Sequence, residues 1–353
     1  MCAFSVEKVF PFREKQGPLP FCSQENLPNY FPLPPFTNHN SKRLLWSVPN
    51  DESTDPEAET KMKPTSVPIV LAVIAIMVFS AGCTSTAPAA ASPSSSTPTI
   101  PPPVSIANTP VQYKDVNGVR LAYWEWGSGE PVLLIEGFSS EVANDTPTQA
   151  PWNETFLSIL SSKYHVYAYD HRGMGYSSMN NVTPTIPIYA DDAAGLIKAL
   201  GYDSMNVYGE SMGSSTAQQL VIAHPEVVRK LILDSNSYSA NIPECQTLHA
   251  TLIAVSNDTT ASPGLRAEAN ANLAFNGTWN GLAGINKTVM LVVGTGDVIT
   301  PQAVSVQMAG QINGSWLVRF QGLPHIGNRN APVQYGENAV YFLDTNEAPL
   351  ASP

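Results

Sequence analysis

From residue 111 onwards, short apolar segments typical of strands alternate with helical patterns, and this alternation limits the fold more than any other feature of the chain. The region opens with two strand-like segments, Val111–Val116 and Val119–Trp126, with Asn117-Gly118 between them as a hairpin turn. Val132–Ile135 is fully apolar, which is typical of a strand covered on both faces. The pattern predicts an α/β domain with a doubly wound, mostly parallel sheet. The other predicted strands are Val166–Tyr169, Met205–Tyr208, Leu231–Leu233, Val289–Val293 and Ser315–Phe320, and the predicted helices cover Trp152–Ser162, Ile188–Leu200, Met212–Ala223, a segment opened by Pro301, and Val333–Phe342.

The composition of the chain changes near residue 110. Residues 1–110 contain 18 of the 31 prolines, and the remaining 243 residues suit one α/β domain with a single core. We therefore place the domain at 111–345, with a helical cap at 238–287 and a short tail at 346–353. The Ser-, Pro- and Ala-rich stretch 84–110 reads as an extended linker, because such a segment buries too little apolar surface to fold.

An uncharged apolar run, PIVLAVIAIMVFSAG, spans residues 68–82 and follows Lys61 and Lys63. As a helix it would reach roughly 23 Å, less than the ~30 Å hydrocarbon core of a bilayer. A basic start, a short apolar core and small residues at the end instead describe a secretory signal over 62–83. Ser80-Ala81-Gly82-Cys83 resembles a lipobox, in which the cysteine is lipidated, although Ser80 replaces the usual Leu. An uncleaved anchor is the alternative.

Both interpretations of this segment place the domain outside the cytoplasm, tethered to the outer face of the cell membrane. Because export signals stand at the start of a protein, we expect translation to begin at Met62. Residues 1–61, which show no helical or strand periodicity, are then a disordered extension or an error in the gene's predicted start. Detection of peptides from this segment in cells by mass spectrometry would contradict that expectation.

Charge and cysteine content exclude several functions for the domain. Residues 111–353 carry 11 basic and 21 acidic side chains, without the positive patch that binding to nucleic acid requires. Cys245 is the only cysteine of this region, so neither an internal disulfide nor a cysteine-based metal site is possible there.

A serine lies between a predicted strand and a predicted helix. Met205–Tyr208 runs into Gly209-Glu210-Ser211-Met212-Gly213, and a helix follows directly. This is the G-x-S-x-G pattern in the strand–turn–helix setting of a nucleophile elbow, where the strained turn exposes the serine hydroxyl. Two glycines around a serine also arise by chance, so the pattern needs support from the rest of the chain.

Further motifs give that support, since the chain resembles the α/β-hydrolase family over about residues 111–345. The stretch 170–177, DHRGMGYS, looks like the family's D-x-R-G-x-G-x-S segment, and 223–226, AHPE, like the end of its nucleophile helix. Gly294-Thr295-Gly296-Asp297 resembles the turn that bears the acid, and residues 322–327, GLPHIG, the loop that bears the histidine. The order Ser…Asp…His is the family's order.

The resemblance implies a catalytic triad of Ser211, His325 and Asp297. His325 would take the proton of the serine hydroxyl, and Asp297 would orient the imidazole and stabilise the imidazolium. Asp234, at the end of another strand, is a rival for the acid, because some family members place the acid there. We favour Asp297 because of its glycine-rich turn and the following Pro301.

The family pattern assigns the oxyanion hole to the backbone N–H groups of Phe138 and Met212. Glu136 stands where the family normally has histidine, so a carboxylate near the hole could raise the cost of forming negative charge. Alternatively, Glu136 turns aside and accepts hydrogen bonds, with Arg172 as a candidate donor. Under the first alternative we expect Glu136 to depress activity at high pH.

Together these features predict a membrane-tethered serine hydrolase that cleaves a small-molecule carboxylic ester through an acyl-serine intermediate, without a metal or cofactor. Amide, thioester or carbon–carbon bond hydrolysis and perhydrolysis remain open, because all of them use the same triad. A non-catalytic surface binding protein is the alternative from another class. The short cap suggests a modest pocket, which Leu248, Leu252, Ile253, Leu265 and Phe275 either face or support from the cap's own core.

Overall fold

The computed structural model describes residues 4–8, 103–143 and 152–346, with the first of these segments described by its backbone alone. The predicted signal sequence, its Cys83, the linker up to residue 102 and the tail beyond residue 346 lie outside the described residues, so these expectations stay predictions. Within the described segments, no helix combines the length and the apolar character that a membrane crossing requires.

The described strands form one sheet. They are β1 Phe4–Lys8, β2 Gln112–Val116, β3 Val119–Gly127, β4 Glu130–Ile135, β5 Tyr164–Tyr169, β6 Met205–Glu210, β7 Val228–Asp234, β8 Thr288–Gly294 and β9 Trp316–Phe320. Their spatial order is β1-β9-β8-β7-β6-β4-β5-β3-β2. Strands β4 to β9 pair in parallel, whereas β2, β3 and β1 are joined by antiparallel ladders. The fold class is therefore the predicted one.

Helices cover both faces of the sheet. They are α1 Glu154–Ser161, α2 Ile186–Ala199, α3 Met212–Ala223, α4 Gln246–Asn257, α5 Pro263–Leu273, α6 Trp279–Leu282, α7 Gln302–Gln311 and α8 Pro332–Asp344. The alternating side chains of the strands contribute to two separate apolar cores, one on each face. Leu133, Val207 and Leu231 lie in the core packed against α2 and α3. Leu134, Tyr208 and Ile232 lie in the core packed against α1 and α8.

The hairpin turn is confirmed, because Asn117 and Gly118 both have positive φ, at 49° and 75°. Most other element boundaries differ from the predicted ones by one to three residues. Sequence patterns define the ends of helices and strands less well than their existence. Within residues 1–61, where the sequence shows no strand periodicity, Phe4–Lys8 forms a strand that pairs antiparallel with β9. The proposed start at Met62 is not tested by this pairing.

The predicted cap region, 238–287, contains a short 3₁₀ turn at Pro243–Cys245 and the helices α4, α5 and α6. It lies between β7 and β8, and no strand forms within it. Of its apolar residues, Leu252 is fully buried in a small cluster with Ala240 and Ala269, whereas Ile253 is exposed. Cys245 is a buried free thiol at the start of α4.

Candidate active site

Ser211 occupies a tight turn between β6 and α3, with φ 55° and ψ −116°. A non-glycine residue rarely adopts a positive φ, so the turn stores backbone strain in order to present this hydroxyl. The flanking glycines are required by close chain approach. A Cβ at Gly213 would overlap the carbonyl oxygen of Ile135, and one at Gly209 would overlap that of Gly213. The structure therefore gives each part of the G-x-S-x-G pattern a steric reason.

Three predicted residues from distant parts of the chain lie in one hydrogen-bonded line. The Ser211 hydroxyl is 3.0 Å from Nε2 of His325, and Nδ1 of the same ring is 2.8 Å from Oδ2 of Asp297. The Asp297 side chain is fully buried, whereas the imidazole keeps 17% exposure. The imidazole can thus take a proton from the serine hydroxyl on one side while a shielded carboxylate fixes its tautomer on the other.

The turn after β8 holds the Asp297 carboxylate in place. Oδ1 accepts hydrogen bonds from the backbone N–H groups of Ile299 and Thr300 at 2.8 and 2.9 Å. The Thr300 hydroxyl lies 3.0 Å from Oδ2 and 2.9 Å from the carbonyl oxygen of Ser235. These contacts leave Oδ2 facing the imidazole, so the carboxylate is oriented before any substrate arrives.

The rival acid, Asp234, lies deeper. Its carboxylate accepts hydrogen bonds from the Tyr208 hydroxyl at 2.7 Å and the Ser235 hydroxyl at 3.1 Å, and among the described residues neither of its oxygens bonds to His325. Burial raises the pKa of Asp234 to about 6, and burial together with Asp234 raises the pKa of its register partner Glu210 to about 8. Asp234 therefore belongs to a buried pair of carboxyl groups beneath the serine.

The loop after β4 brings Phe138 to the serine. A Cβ at Gly137 would lie 3.1 Å from Cβ of Ser211, which shows how closely this backbone passes the nucleophile. The side chains of Phe138 and Met212, the two predicted oxyanion donors, pack in the same apolar cluster. Among the described residues, the Phe138 N–H has no acceptor. A substrate oxyanion between these two backbone segments is the partner that the predicted hole requires.

Glu136 is fully buried, two residues before Phe138 in the loop after β4. One oxygen accepts a long, 3.4 Å hydrogen bond from the backbone N–H of His171, and the other has no partner among the described residues. The suggested donor, Arg172, was wrong, because its guanidinium binds Asp192 instead. Burial, and then the nearby Asp170 and Glu268, raise the pKa of Glu136 well above its ordinary value, so this environment favours the neutral acid over the carboxylate.

This environment predicts a loss of activity at alkaline pH. Since its pKa is raised, Glu136 becomes charged only as the pH rises. The new carboxylate, two residues before the predicted oxyanion donor Phe138, then opposes the negative charge that forms on the substrate oxygen. We expect kcat to fall by about tenfold across the ionisation, and to stay level in Glu136→Gln, which is neutral throughout. The measurement is the pH profile of kcat for both proteins under saturating substrate. Identical alkaline limbs would contradict this role.

Arg172 and Asp192 form a buried ion pair, with the guanidinium Nε and one Nη each 2.5 Å from a carboxylate oxygen. Sequence patterns alone did not identify Asp192 as the partner of Arg172. Asp170 accepts hydrogen bonds from the backbone N–H groups of Val142 and Tyr176, both at 2.8 Å. Arg172 and Asp170 thus support the loops around the site, and among the described contacts neither bonds to the serine.

A cavity of about 240 Å³ opens at Ser211 and His325. A larger cavity of about 820 Å³, beside Trp124 and Trp152, contains none of the three aligned residues, so size alone does not locate the chemistry. Leu248 of the cap faces the smaller cavity, whereas Leu252 supports the cap from within. The cavity's other lining residues include Phe138, Ser139, Thr251, Ile299, Ile326 and Arg329.

Comparison with known proteins agrees with the observed fold. A family model described as alpha/beta hydrolase fold matches residues 130–279. A putative non-heme bromoperoxidase, BpoC, from Mycobacterium tuberculosis is 33% identical over 115 residues, which cover 33% of this chain and 41% of that protein. A putative carbamate hydrolase, RutD, from a Caulobacter species is 32% identical over 120 residues, 34% of this chain and 43% of that one. The chain thus matches less than half the length of these relatives.

Solved structures extend the likeness across the domain. An alpha/beta hydrolase fold protein from Chitinophaga pinensis has a TM-score of 0.57 at 21% identity, and the match covers 68% of this chain and 99% of that one. A thermophilic esterase from Thermogutta terrifontis has a TM-score of 0.56 at 20% identity, covering 66% and 98%. The sheet order and these neighbours show that the chain has the α/β-hydrolase fold. The aligned serine, histidine and aspartate lie within that fold.

Proposed function

We propose that this protein is a serine hydrolase that cleaves short-chain carboxylic esters through an acyl-serine intermediate. The hydrogen-bonded line from Ser211 through His325 to Asp297 is the observation that carries the proposal. In the first step Ser211 Oγ attacks the ester carbonyl, and its proton passes to Nε2 of His325. The imidazolium then protonates the leaving alcohol, and water repeats the sequence to release the acid.

The catalytic cavity sets the proposed substrate size. Its volume of about 240 Å³ holds a short acyl group, and Leu248, Ile299 and Ile326 offer that group an apolar lining. Longer chains would have to displace the cap, because Leu248 stands on α4 and closes the cavity on that side. The lining therefore favours small apolar acyl groups over fatty ones.

The proposed location is outside the cytoplasm, on the outer face of the cell membrane. Support comes from the sequence alone, namely the basic start, apolar core and Ser80-Ala81-Gly82-Cys83 ending of residues 62–83. The Pro-rich linker after Cys83 would hold the domain away from the membrane surface.

A series of p-nitrophenyl esters from acetate to octanoate tests the substrate proposal. We expect kcat/KM to be highest for acetate to butyrate and to fall at least about tenfold by octanoate, since an acyl chain longer than the cavity has to displace the cap, and a cost of about 1.4 kcal/mol is already tenfold. Leu248→Ala enlarges the cavity and should move the optimum to longer acyl groups. Ile253→Ala, an exposed change on the same helix, is the matched control. A flat series would contradict the assigned pocket.

A further inference from the structure

The loop that carries Phe138, residues 136–140 and here called the oxyanion loop, makes a tight turn that its own sequence does not favour. The Ser140 N–H donates to the carbonyl oxygen of Gly137 at 3.3 Å, so Phe138 and Ser139 occupy the centre of the turn. Ser139 has a φ of 64°, a left-handed conformation that glycine adopts freely but serine does not. A non-glycine residue in this conformation is strained and persists only where its surroundings hold it.

A residue of the cap supplies that support. Glu268 lies in the middle of α5, is fully buried, and accepts a hydrogen bond from the backbone N–H of Ser139 at 2.9 Å through Oε2. Its other oxygen, Oε1, lies 3.0 Å from Nδ1 of His171. The imidazole of His171 is itself held by stacking on Tyr189, with ring centroids 4.9 Å apart. One carboxylate thus joins the cap, the oxyanion loop and the D-x-R-G segment.

The remaining contacts of α5 fit the same role. At the start of the helix, a Cβ on Gly264 would overlap the carbonyl oxygen of Gly173, so the helix is seated directly on that segment. Further along, Ala271 packs in the cluster that contains Phe138 and Met212. The cap helix therefore shares an apolar cluster with the side chains of both predicted oxyanion donors, and it accepts a hydrogen bond from the peptide immediately after one of them.

We propose that Glu268 is a positioning residue for the oxyanion hole: it holds the Phe138–Ser139 peptide plane, and through it the Phe138 N–H, in the orientation that receives the oxyanion. This inference rests on the proposed function. It makes the seated cap a structural part of the catalytic centre as well as a cover over it. The expected signature is a loss of transition-state stabilisation with little change in ground-state binding.

The test compares Glu268→Met, which removes both acceptors at nearly equal length, with Glu268→Gln, whose single carbonyl oxygen can still accept from Ser139. Active sites are first counted by fluorophosphonate titration, so that unfolded protein does not enter kcat. With p-nitrophenyl acetate we expect kcat per titrated site to fall about 30- to 100-fold in Glu268→Met. In Glu268→Gln it should stay within about fivefold, and KM should change less than about threefold in both.

A short alkylboronic acid supplies the readout that a purely structural role would not move. Its tetrahedral serine adduct places an oxygen in the oxyanion hole, so its inhibition constant should rise in Glu268→Met by the factor by which kcat falls. Asn270→Ala, an exposed change on the same helix, is the control and should alter neither value. If Glu268→Met does not fold, Glu268→Asp, whose carboxylate is withdrawn by one methylene, should show the same paired changes at about tenfold.

The inference is overturned if a folded Glu268→Met or Glu268→Asp protein keeps both its kcat per site and its boronic acid inhibition constant within about threefold of the wild type. Failure of the proposed function looks different. In that case the wild-type protein itself would react with neither the fluorophosphonate nor the ester.

Discussion

Replacing Ser211 with alanine is expected to lower kcat for p-nitrophenyl acetate by about 10⁶-fold, the largest effect of any single change, since it removes the atom that forms the acyl intermediate. The alanine needs no new space, and the buried turn keeps its flanking glycines. We therefore expect the protein to remain folded, with a melting temperature within a few degrees of the wild type.

Ser214→Ala is the matched control for this variant. Ser214 is a buried serine one helical turn further along α3, where its hydroxyl accepts a hydrogen bond from Gln218 at 3.1 Å. Ser214→Ala loses the same group three residues along the chain, but Ser214 does not contact His325. We expect its kcat to remain within about threefold of the wild type, because only a non-catalytic hydrogen bond is lost. Comparable losses in both variants would contradict the role of Ser211.

Replacing Asp297 with asparagine is expected to lower kcat by about 10⁴-fold at neutral pH. The asparagine keeps the shape of the side chain and can still accept from the backbone N–H groups of Ile299 and Thr300. It loses the charge that stabilises the imidazolium, and its amide can donate to Nδ1 of His325, which favours the wrong tautomer. The measurement is the pH profile of kcat, up to pH 9, for Asp297→Asn and for the wild type, and it reports the loss of kcat at neutral pH directly.

Asp234→Asn separates the two candidate acids. Asp234 bonds to Tyr208 and Ser235 and not to the imidazole, so its replacement should leave kcat within about tenfold of the wild type. Because an uncharged side chain removes the like-charge contact with Glu210, we expect the stability of this variant to be unchanged or higher at alkaline pH. A loss near 10⁴-fold in Asp234→Asn, with Asp297→Asn active, would exchange the two roles.

Local patterns were sufficient for much of the fold and for the residues that align at the site. The apolar runs of β4 and β6 and the alternation around them are properties of the sequence that burial on both faces imposes. The turn leaves no room for a Cβ at residues 209 and 213, so the two glycines and their spacing predict the turn directly from the sequence. The order of the motifs along the chain predicts the grouping of Ser211, Asp297 and His325, and the structure places the three side chains in contact.

What the sequence did not predict depends on contacts between distant segments. Glu268 lies 129 residues from Ser139, in a cap helix without any motif, and only the packing of α5 brings the two together. The pairing of Arg172 with Asp192 was missed because an acid early in a helix already has a local explanation. The environment of Glu136 could not be predicted from the sequence either, since its raised pKa comes from burial and from neighbours on other elements.

The central claim is that the Ser211 hydroxyl is an activated nucleophile, and covalent labelling tests it most directly. The folded protein is treated with a fluorophosphonate, and the modified residue is located by peptide mass spectrometry. We predict one adduct per chain, on Ser211, formed at least about 10³-fold more slowly in His325→Ala, because the base that takes the proton is then missing. A folded protein that forms no adduct, or that is labelled at another residue with Ser211 unmodified, would contradict the account.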